Sequence, residues 1–432
     1  MPQLTQQQIA AGKLAADSLH ARINQIYQHD NIVFGHHDSL AYGRSHNGWR
    51  GTSPTSTDGL DFNIDQSDIA YALTNNAAGL YGWDLMGLED ITNADTINLT
   101  TSSAKLRNEI PVKDVIAWIK KVHYSGGINT VCWHMKNPSN LGDYNNLSNK
   151  KTLKEAVTPN TTANRNITKW INAAANFFTS LIDDNGNPIP ILFRPFHEVT
   201  NFSAFFWWNQ IDSTNSTPAH YKLLWQNTIM QLYNKGVQNL VNVFCIQDFF
   251  LDYQGNFFQK ILDCIPDTNL YDVIGFDAYQ RLNTRQHKIN HPNANVLFAN
   301  NDGITPDPNF NRTNFITRVR QQLDAVNALA VQLNKIPALT EIGADYFYDD
   351  SSWWTNTLQQ IIANKHLAYL MTWRNPAYHQ NDASTYYAPY YNPTGLDISD
   401  MDINYVHNFV AFYTNNTINT NRVLFLNELI DV

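Results

Sequence analysis

Eight short apolar segments recur along this chain of 432 residues, and they constrain its fold more than any other feature. They lack the apolar–polar alternation of a strand with one face in water, so they predict strands covered on both faces, as in parallel sheets. The predicted strands are residues 32–36, 79–85, 129–134, 190–197, 240–246, 273–279, 338–343 and 368–374.

Helical periodicity occupies the intervals between these strands. The predicted helices are residues 112–123, 162–182, 218–235, 315–333, 352–364 and 401–412, with another at 6–27 before the first strand. Eight strands that alternate with helices predict an α/β fold, a single (β/α)8 TIM barrel. Because no repeat or low-complexity linker interrupts the pattern, we expect one domain over residues 1–432, with the barrel at about 30–415.

Loop lengths predict which end of this barrel carries the site. The stretches after strands are long, at residues 39–62, 135–160, 280–311 and 375–399, whereas helix-to-strand turns such as 183–188 and 334–335 are short. Barrel enzymes place their sites on the loops that follow strands, so we expect the site there. Aromatic rings on these loops would either stack on sugars or pack the loops onto the barrel: Tyr42, Trp49, Tyr378, Tyr386, Tyr387, Tyr390 and Tyr391.

Charge and polarity narrow the class of ligand. The formal net charge is -9, and no cluster of lysine and arginine indicates a nucleic-acid partner. No apolar run approaches the roughly 20 residues that span a bilayer. Only 16% of residues are charged although asparagine, threonine, glutamine and tyrosine abound, which suits recognition of a neutral sugar by hydrogen bonds and aromatic faces.

The sequence indicates neither a cofactor nor a metal. Cys132, Cys245 and Cys264 have no C-x-x-C spacing and are expected to be buried small hydrophobes. His36 and His37 are adjacent on a predicted strand, so their side chains would point to opposite faces and could not easily hold one ion.

Two acidic segments end predicted strands. Glu198 closes the fourth strand beside Arg194 and His197, and Glu341 closes the seventh. A single glutamate at a strand end is more often solvated or ion-paired than catalytic. A barrel brings both strand ends to one face, however, where two carboxyl groups can divide acid/base and nucleophile roles. The pair indicates a glycoside hydrolase.

Seven segments resemble motifs of glycoside hydrolase family 26, a family of β-mannanases and related β-glycanases on (β/α)8 barrels. They are FGHHD (34–38), YGWD (81–84), WHMKNP (133–138), RPFHE (194–198), GFDAY (275–279), TEIG (340–343) and TWRN (372–375). The resemblance covers roughly residues 30–415, and RPFHE is its most specific part.

This resemblance implies roles for individual residues. Glu198 would be the acid/base and Glu341 the nucleophile of a retaining double displacement. Tyr279 would hold the nucleophile by a hydrogen bond, and Arg194 or Arg374 would orient carboxylates. The remaining implied substrate contacts are His134 and His197, Trp373 as the floor of the subsite, Trp83, Phe205 and Trp208.

One segment departs from the family pattern. Relatives typically have GGWFWWG after the acid/base, whereas this chain has SAFFWWN at residues 203–209, with Phe205 at a tryptophan position. A smaller ring offers less stacking area, so we expect weaker binding of the leaving-group sugar or a compensating ring from a neighbouring loop.

The leading hypothesis is an endo-β-1,4-mannanase that acts on mannan, glucomannan or galactomannan. The alternatives are a β-1,3-xylanase or mixed-linkage β-glucanase of the same family, a barrel that binds glycans without cleaving them, and a metal-dependent hydrolase. We expect a monomer. No basic stretch followed by an apolar one opens the chain, so no secretion signal is expected in it. A polymeric substrate nevertheless implies a secreted or periplasmic protein.

Overall fold

The structure is a computed structural model that describes residues 4–42, 69–106, 110–199, 205–211, 214–247, 257–281, 312–345, 351–374 and 403–429. Most of the loop aromatics named above lie outside these residues: Trp49, Tyr378, Tyr386, Tyr387, Tyr390 and Tyr391. That residues 1–432 form one domain stays a prediction. In the described part, no helix is both long enough and apolar enough to cross a bilayer.

Eight parallel strands close into a barrel. Strands β1 to β8 are Asn31–His37, Leu80–Asp84, Ile128–Cys132, Ile191–Arg194, Leu240–Gln247, Val273–Arg281, Ile336–Asp345 and Tyr369–Thr372. Each strand pairs with the next, and β1 pairs with both β2 and β8, which closes the ring. The predicted (β/α)8 barrel is confirmed, and every predicted strand is present.

Helices lie between the strands. They are α1 (Gln6–Gln28), α2 (Ser39–Tyr42), α3 (Ile69–Thr74), α4 (Val112–Tyr124), α5 (Thr152–Val157), α6 (Thr162–Thr179), α7 (Pro218–Asn234), α8 (Phe257–Cys264), α9 (Arg312–Leu333), α10 (Gln359–Ile362), α11 (Ile403–Thr414) and α12 (Leu426–Leu429). A π-helical turn, Trp354–Leu358, precedes α10 within the helix predicted at 352–364. Sequence patterns missed the short helices α2, α3, α5, α8 and α12 and a hairpin of β9 (Thr417–Ile418) and β10 (Asn421–Leu424), in which β10 also pairs with β1.

Apolar side chains pack against both faces of the barrel wall, as strands without alternation predict. The interior cluster includes residues from the amino-terminal halves of the strands, such as Val33, Leu80 and Ile128. Leu19, Ile23 and Ile26 of α1 belong to the same cluster, so this helix closes the amino-terminal end of the barrel. Polar groups lie at the opposite end of the barrel, where the strands finish.

Candidate active site

The carboxyl-terminal ends of the strands bring the two predicted glutamates together. Glu198 follows β4 and Glu341 lies within β7, and they are buried, with 9% and 3% of their surface exposed. One carboxylate oxygen of each lies within 4.8 Å of the other and of a carboxylate oxygen of Asp277 on β6. Both glutamates therefore share a single pocket, and Asp277 joins them there.

A cation and a hydroxyl hold the two oxygens of Glu341. Arg194 of β4 donates from Nη2 to Oε1, and Tyr279 of β6 donates from its hydroxyl to Oε2 at 2.5 Å. Arg194 also donates from Nη1 to Oδ2 of Asp277 at 2.6 Å. One guanidinium thus bridges two buried carboxylates, and this fixes the orientation of the Glu341 carboxyl group.

These three charged groups perturb one another. Burial raises the pKa of Glu341 to about 7, although Arg194 acts to lower it. Burial also raises the pKa of Asp277, again against the effect of Arg194. The two carboxylates raise the pKa of Arg194 well above its usual value, although burial alone would lower it. One positive charge does not balance two buried carboxylates, so Glu341 is fully ionised only above neutral pH.

A β-bulge in β7 aims Glu341 into the barrel. Asp277 pairs with Glu341, whereas the residue before Asp277 pairs with Leu339, so Thr340 is an extra residue in β7. Such a bulge lets consecutive side chains face the same side. Thr340 donates from Oγ1 to Oδ1 of Asp277 at 2.5 Å, so it points inward together with Glu341. Gly275 makes room for it, because a Cβ there would lie 2.4 Å from Cγ2 of Thr340.

The backbone of the loop after β4 aims Glu198. Phe196 and Glu198 have φ angles of 46° and 54°, in the left-handed region that residues with side chains rarely adopt. Three successive carbonyl groups of this turn accept a hydrogen bond from a side chain: Phe196 from Tyr221 at 2.9 Å, His197 from Trp208 at 2.9 Å and Glu198 from Asn209 at 2.6 Å. These donors stabilise a turn that the backbone alone would not favour.

Two histidines line one wall of the pocket. Asp84 accepts the backbone N–H of His134 at 3.1 Å through Oδ1, and its Oδ2 lies 2.7 Å from Nδ1 of His134. The neighbouring His134 lowers the pKa of Asp84, although burial acts to raise it. The Nε2 atoms of His134 and His197 lie 3.3 Å apart. Burial, reinforced by Arg194, lowers the pKa of His197 well below its usual value, so its ring is neutral at physiological pH.

Trp373 follows β8, the strand that lies across the barrel from β4. Its ring stacks on His37 with centroids 4.1 Å apart and planes at 20°, and it lies 5.7 Å from the ring of His134. Arg374 lies over the same indole at 5.6 Å, with Nη1 3.4 Å from Oδ2 of Asp38. Arg374 therefore pairs with Asp38, and Trp373 presents a partly exposed ring to the pocket.

Trp83 faces away from the pocket, a position that does not favour its expected contact with substrate. Its fully buried indole donates to Oδ1 of Asn129 at 2.9 Å and stacks on Trp118 of α4 with centroids 6.0 Å apart. Because side chains alternate along a strand, β2 turns the neighbouring Asp84 inward instead.

Arg194 and Trp208 lie beneath the surface of the pocket. Arg194 is buried and its guanidinium is engaged by carboxylates, while Trp208 is buried with its ring stacked on Phe206 at 4.5 Å. The two residues support groups that line the pocket, as the orienting role expected of Arg194 implies, and their direct contact with substrate stays a prediction. Phe205 is 46% exposed, and His134 and Tyr279 are partly exposed on the pocket side.

Asp84 and Asp277 are the site residues to which the sequence assigned no role. Both lie in segments that carried the family resemblance, at 81–84 and 275–279. Asp84 fixes His134, and Asp277 shares the cation of Glu341. Side chains two residues apart on a strand point to the same face, so counting from the inward-facing apolar residue of each strand would have predicted that both carboxylates point toward the pocket.

Two groups of described side chains are close enough to hold a metal ion: His37, Asp84 and Cys132, and Glu198, Asp277 and Glu341. Their carboxylates already have partners within the protein. Asp84 contacts His134, and a guanidinium lies between Asp277 and Glu341. In the second group, this guanidinium supplies the positive charge that an ion would contribute.

The arrangement suits attack on a carbon atom between two carboxyl groups. Glu341 is oriented by donors on both oxygens, and one of its oxygens lies within 4.8 Å of a carboxylate oxygen of Glu198. In such a pair one carboxylate acts as a nucleophile and the other transfers a proton.

Comparisons with known proteins agree with this fold. The family model described as glycosyl hydrolase family 26 matches residues 15–335, which include Glu198 and end before Glu341. A mannan endo-1,4-β-mannosidase from Bifidobacterium adolescentis is 23% identical over 340 residues, which are 75% of this chain and 29% of that protein. The chain thus spans less than a third of that relative's length.

Two solved structures share the barrel. A β-mannanase of family 26 from Bacteroides ovatus has a TM-score of 0.71 and 24% identity, with 97% of each chain covered. The catalytic domain of an endo-β-1,4-mannanase from Bacillus sp. JAMB-750 has a TM-score of 0.68 and 24% identity, with 96% of this chain and 92% of that one covered. At these identities the likeness establishes the fold.

Proposed function

The chain belongs to glycoside hydrolase family 26, and from this premise we propose that it is a retaining endo-β-1,4-mannanase. The relative and the two solved structures are named as mannanases, which supports mannan, glucomannan or galactomannan as the substrate. The retaining mechanism in this proposal is supported by the carboxylate oxygens of Glu198 and Glu341, which lie within 4.8 Å of each other. Retaining enzymes have carboxyl groups about 5–5.5 Å apart, whereas inverting enzymes need about 6.5–9.5 Å.

In the first half-reaction Glu341 attacks the anomeric carbon while Glu198 donates a proton to the glycosidic oxygen. The bond from this carbon to the leaving sugar breaks as the bond to the carboxylate forms. Arg194 and Tyr279 keep the attacking oxygens in position. The neutral ring of His197 can hydrogen-bond sugar hydroxyls without adding a competing charge.

In the second half-reaction water releases the sugar. Glu198, now a carboxylate, takes a proton from a water molecule that attacks the same carbon, and Glu341 leaves as a carboxylate. Esterification removes the negative charge of Glu341, which favours ionisation of Glu198 at this stage. The same pair therefore serves both steps, and the configuration of the sugar is retained.

The anomer that forms first tests this mechanism. Proton NMR of mannopentaose hydrolysis is expected to show the β-anomer before mutarotation, whereas initial release of the α-anomer would refute retention. Glu198→Gln and Glu341→Gln are expected to lose at least about 1,000-fold in kcat/KM. Glu155→Gln, the same change on α5, is the control and keeps wild-type turnover. Near-normal turnover by Glu341→Gln would remove its assignment as the nucleophile.

A panel of polymers tests the substrate. Mannan and glucomannan are expected to be cleaved to mixed oligosaccharides from the start, as internal cleavage requires. Hydrolysis of β-1,3-xylan or mixed-linkage β-glucan without hydrolysis of mannan would overturn the substrate and leave the carboxylate roles intact. Binding of mannan without any release of reducing ends would instead favour a glycan-binding barrel.

We also propose that the protein acts as a monomer outside the cytoplasm, because its polymeric substrate does not cross a membrane. Fractionation of the source cells and light scattering of the purified protein test these two points. Recovery in the cytoplasmic fraction, or a stable dimer, would contradict them.

A further inference from the structure

Thr340, the extra residue of the β7 bulge, contacts two other strands through its hydroxyl. Its Oγ1 donates to Oδ1 of Asp277 on β6 at 2.5 Å, and Sγ of Cys245 on β5 lies 3.3 Å from the same Oγ1. A hydroxyl has one proton, and Asp277 accepts it, so the thiol is the group that can donate to Oγ1. All three residues are buried. Thr340 is therefore a fixed donor to Asp277.

Asp277 and Glu341 compete for one guanidinium. Arg194 donates from Nη1 to Oδ2 of Asp277 at 2.6 Å and from Nη2 to Oε1 of Glu341. Each carboxylate also has a hydroxyl donor of its own, which is Thr340 for Asp277 and Tyr279 for Glu341. A donor to a carboxylate favours its ionised form. The two hydroxyls therefore favour ionisation of different members of the pair.

Two carboxylates at this distance titrate as a pair. An oxygen of Asp277 lies within 4.8 Å of one of Glu341, and like charges this close in a buried site are not protonated independently. As the pH falls, one of the two carboxylates takes up a proton first, and its repulsion of the other is then removed. The carboxylate with the weaker set of donors takes this first proton.

Other ionisable groups of the described residues also face this pair. Burial raises the pKa values of the Cys132, Cys245 and Tyr369 side chains above their usual range, so these groups stay uncharged near neutral pH. The two carboxylates raise the pKa of Arg194, so it stays charged. Glu198 is a third carboxyl group in the pocket, and it is common to every variant compared below.

We propose that Thr340 is a positioning residue of the nucleophile: its hydroxyl holds Asp277 as a carboxylate, so that Glu341 takes up the first proton as the pH falls. This inference rests on the proposed function and extends it to the acid limit of activity. Above neutral pH both carboxylates share Arg194, which leaves less of the positive charge on Glu341 and more negative charge for attack. The pH at which activity is lost therefore depends on the balance between two hydroxyls.

Thr340→Val tests this role, because it replaces the hydroxyl by a methyl group of similar size. The first proton is then expected on Asp277, which keeps Glu341 ionised at lower pH. The assay is kcat/KM for β-mannobiosyl fluoride between about pH 5 and pH 9, because fluoride leaves without a proton from Glu198. The acid limb, the fall of kcat/KM at low pH, is expected to move down by about one pH unit. As a fraction of its maximum, kcat/KM at about pH 5 then rises about tenfold.

Two control variants separate the hydroxyl from the packing. Thr340→Ser keeps the hydroxyl and is expected to keep the wild-type acid limb. Thr130→Val makes the same exchange at a buried threonine of β3, whose hydroxyl donates to the carbonyl of Leu192 at 3.1 Å, and it should also keep this limb. In Thr340→Val, an acid limb that stays in place or moves to higher pH would overturn the proposal, as would an equal loss at every pH. If this variant does not fold, Thr340→Ala against Thr340→Ser makes the same comparison.

Asp277→Asn tests the route by which Thr340 acts. Without a second carboxylate, the acid limb is expected at lower pH whether position 340 is threonine or valine. A further shift in the double variant would show that Thr340 acts on Glu341 by another route, which would contradict the proposal.

Failure of the proposed function has a different signature. If the wild type hydrolyses another β-glycoside, the matching glycosyl fluoride gives the same comparison of acid limbs. If it hydrolyses none, carbon-13 NMR of protein labelled at the glutamate carboxyl carbons follows the ionisation directly, with Glu341→Gln to identify the signal. Glu341 is expected to titrate at lower pH in Thr340→Val than in the wild type, and titration at the same pH would overturn the role of Thr340.

Discussion

Removal of the Tyr279 hydroxyl tests how the pocket sets the ionisation of Glu341. The hydroxyl donates to Oε2 of Glu341 at 2.5 Å, and Tyr279→Phe deletes this donor while keeping the ring. The hydrogen bond favours the carboxylate, so its loss raises a pKa that burial has already raised to about 7. A nucleophile must be ionised to attack. The acid limb of kcat/KM is therefore expected to move to higher pH.

The size of this effect follows from the bond. A hydrogen bond to a charged group contributes about 1.5–3 kcal/mol, and one pKa unit corresponds to about 1.4 kcal/mol, so the pKa rises by roughly 1–2 units. At pH 7 the ionised fraction of Glu341 then falls from about one half to between about one tenth and one hundredth. We expect kcat/KM at pH 7 to fall about five- to fifty-fold, with a smaller loss at higher pH.

The assay is the ratio of variant to wild-type kcat/KM for β-mannobiosyl fluoride between about pH 5 and pH 9. This leaving group needs no protonation, so the profile reports the nucleophile rather than Glu198. Tyr124→Phe, at the end of α4, is the control and should give a ratio near one throughout. A ratio for Tyr279→Phe that does not change with pH would show that the hydroxyl does not set the ionisation of Glu341.

Three further predictions concern the groups around this pocket. The folded-state pKa of Glu341 is above its unfolded value, so ionisation of Glu341 destabilises the folded protein as pH rises. In urea unfolding, Glu341→Gln is therefore expected to be about 1–3 kcal/mol more stable than wild type at pH 8 and no more stable near pH 4. Asp84→Asn should lower kcat/KM for mannopentaose about tenfold by loosening His134, and an unchanged kcat/KM would contradict this role. Gly275→Ala should cost about 1–3 kcal/mol of stability because its Cβ meets Thr340, and a wild-type urea midpoint would refute the close packing.

The strands of the barrel could be predicted because parallel strands are apolar on both faces. The same absence of alternation hides which residues point inward. Trp83 and Asp84 are adjacent at the end of β2, and the sequence favoured the tryptophan as a sugar contact, whereas the strand turns the aspartate to the pocket. The short helices α2, α3, α5, α8 and α12 and the strands β9 and β10 were missed because segments of this length carry little periodicity.

The paired glutamates could be predicted from strand position, but the arrangement that holds Glu341 could not. Its inward direction depends on the extra residue Thr340, and a β-bulge leaves no clear mark in the sequence. The bridge from Arg194 to both Glu341 and Asp277 joins three strands that are far apart in the chain. Such contacts depend on the relative heights of the strands in the barrel, which local patterns do not contain.

The left-handed turn at Glu198 makes this proton donor difficult to transfer to another barrel. A glutamate grafted onto the same strand of another barrel would adopt ordinary backbone angles and project its carboxyl group in a different direction. The graft would also need Tyr221, Trp208 and Asn209, because their side chains bind the three carbonyl groups that maintain the turn. The smallest transferable unit is therefore a set of residues from one loop and the helix that follows it rather than one side chain.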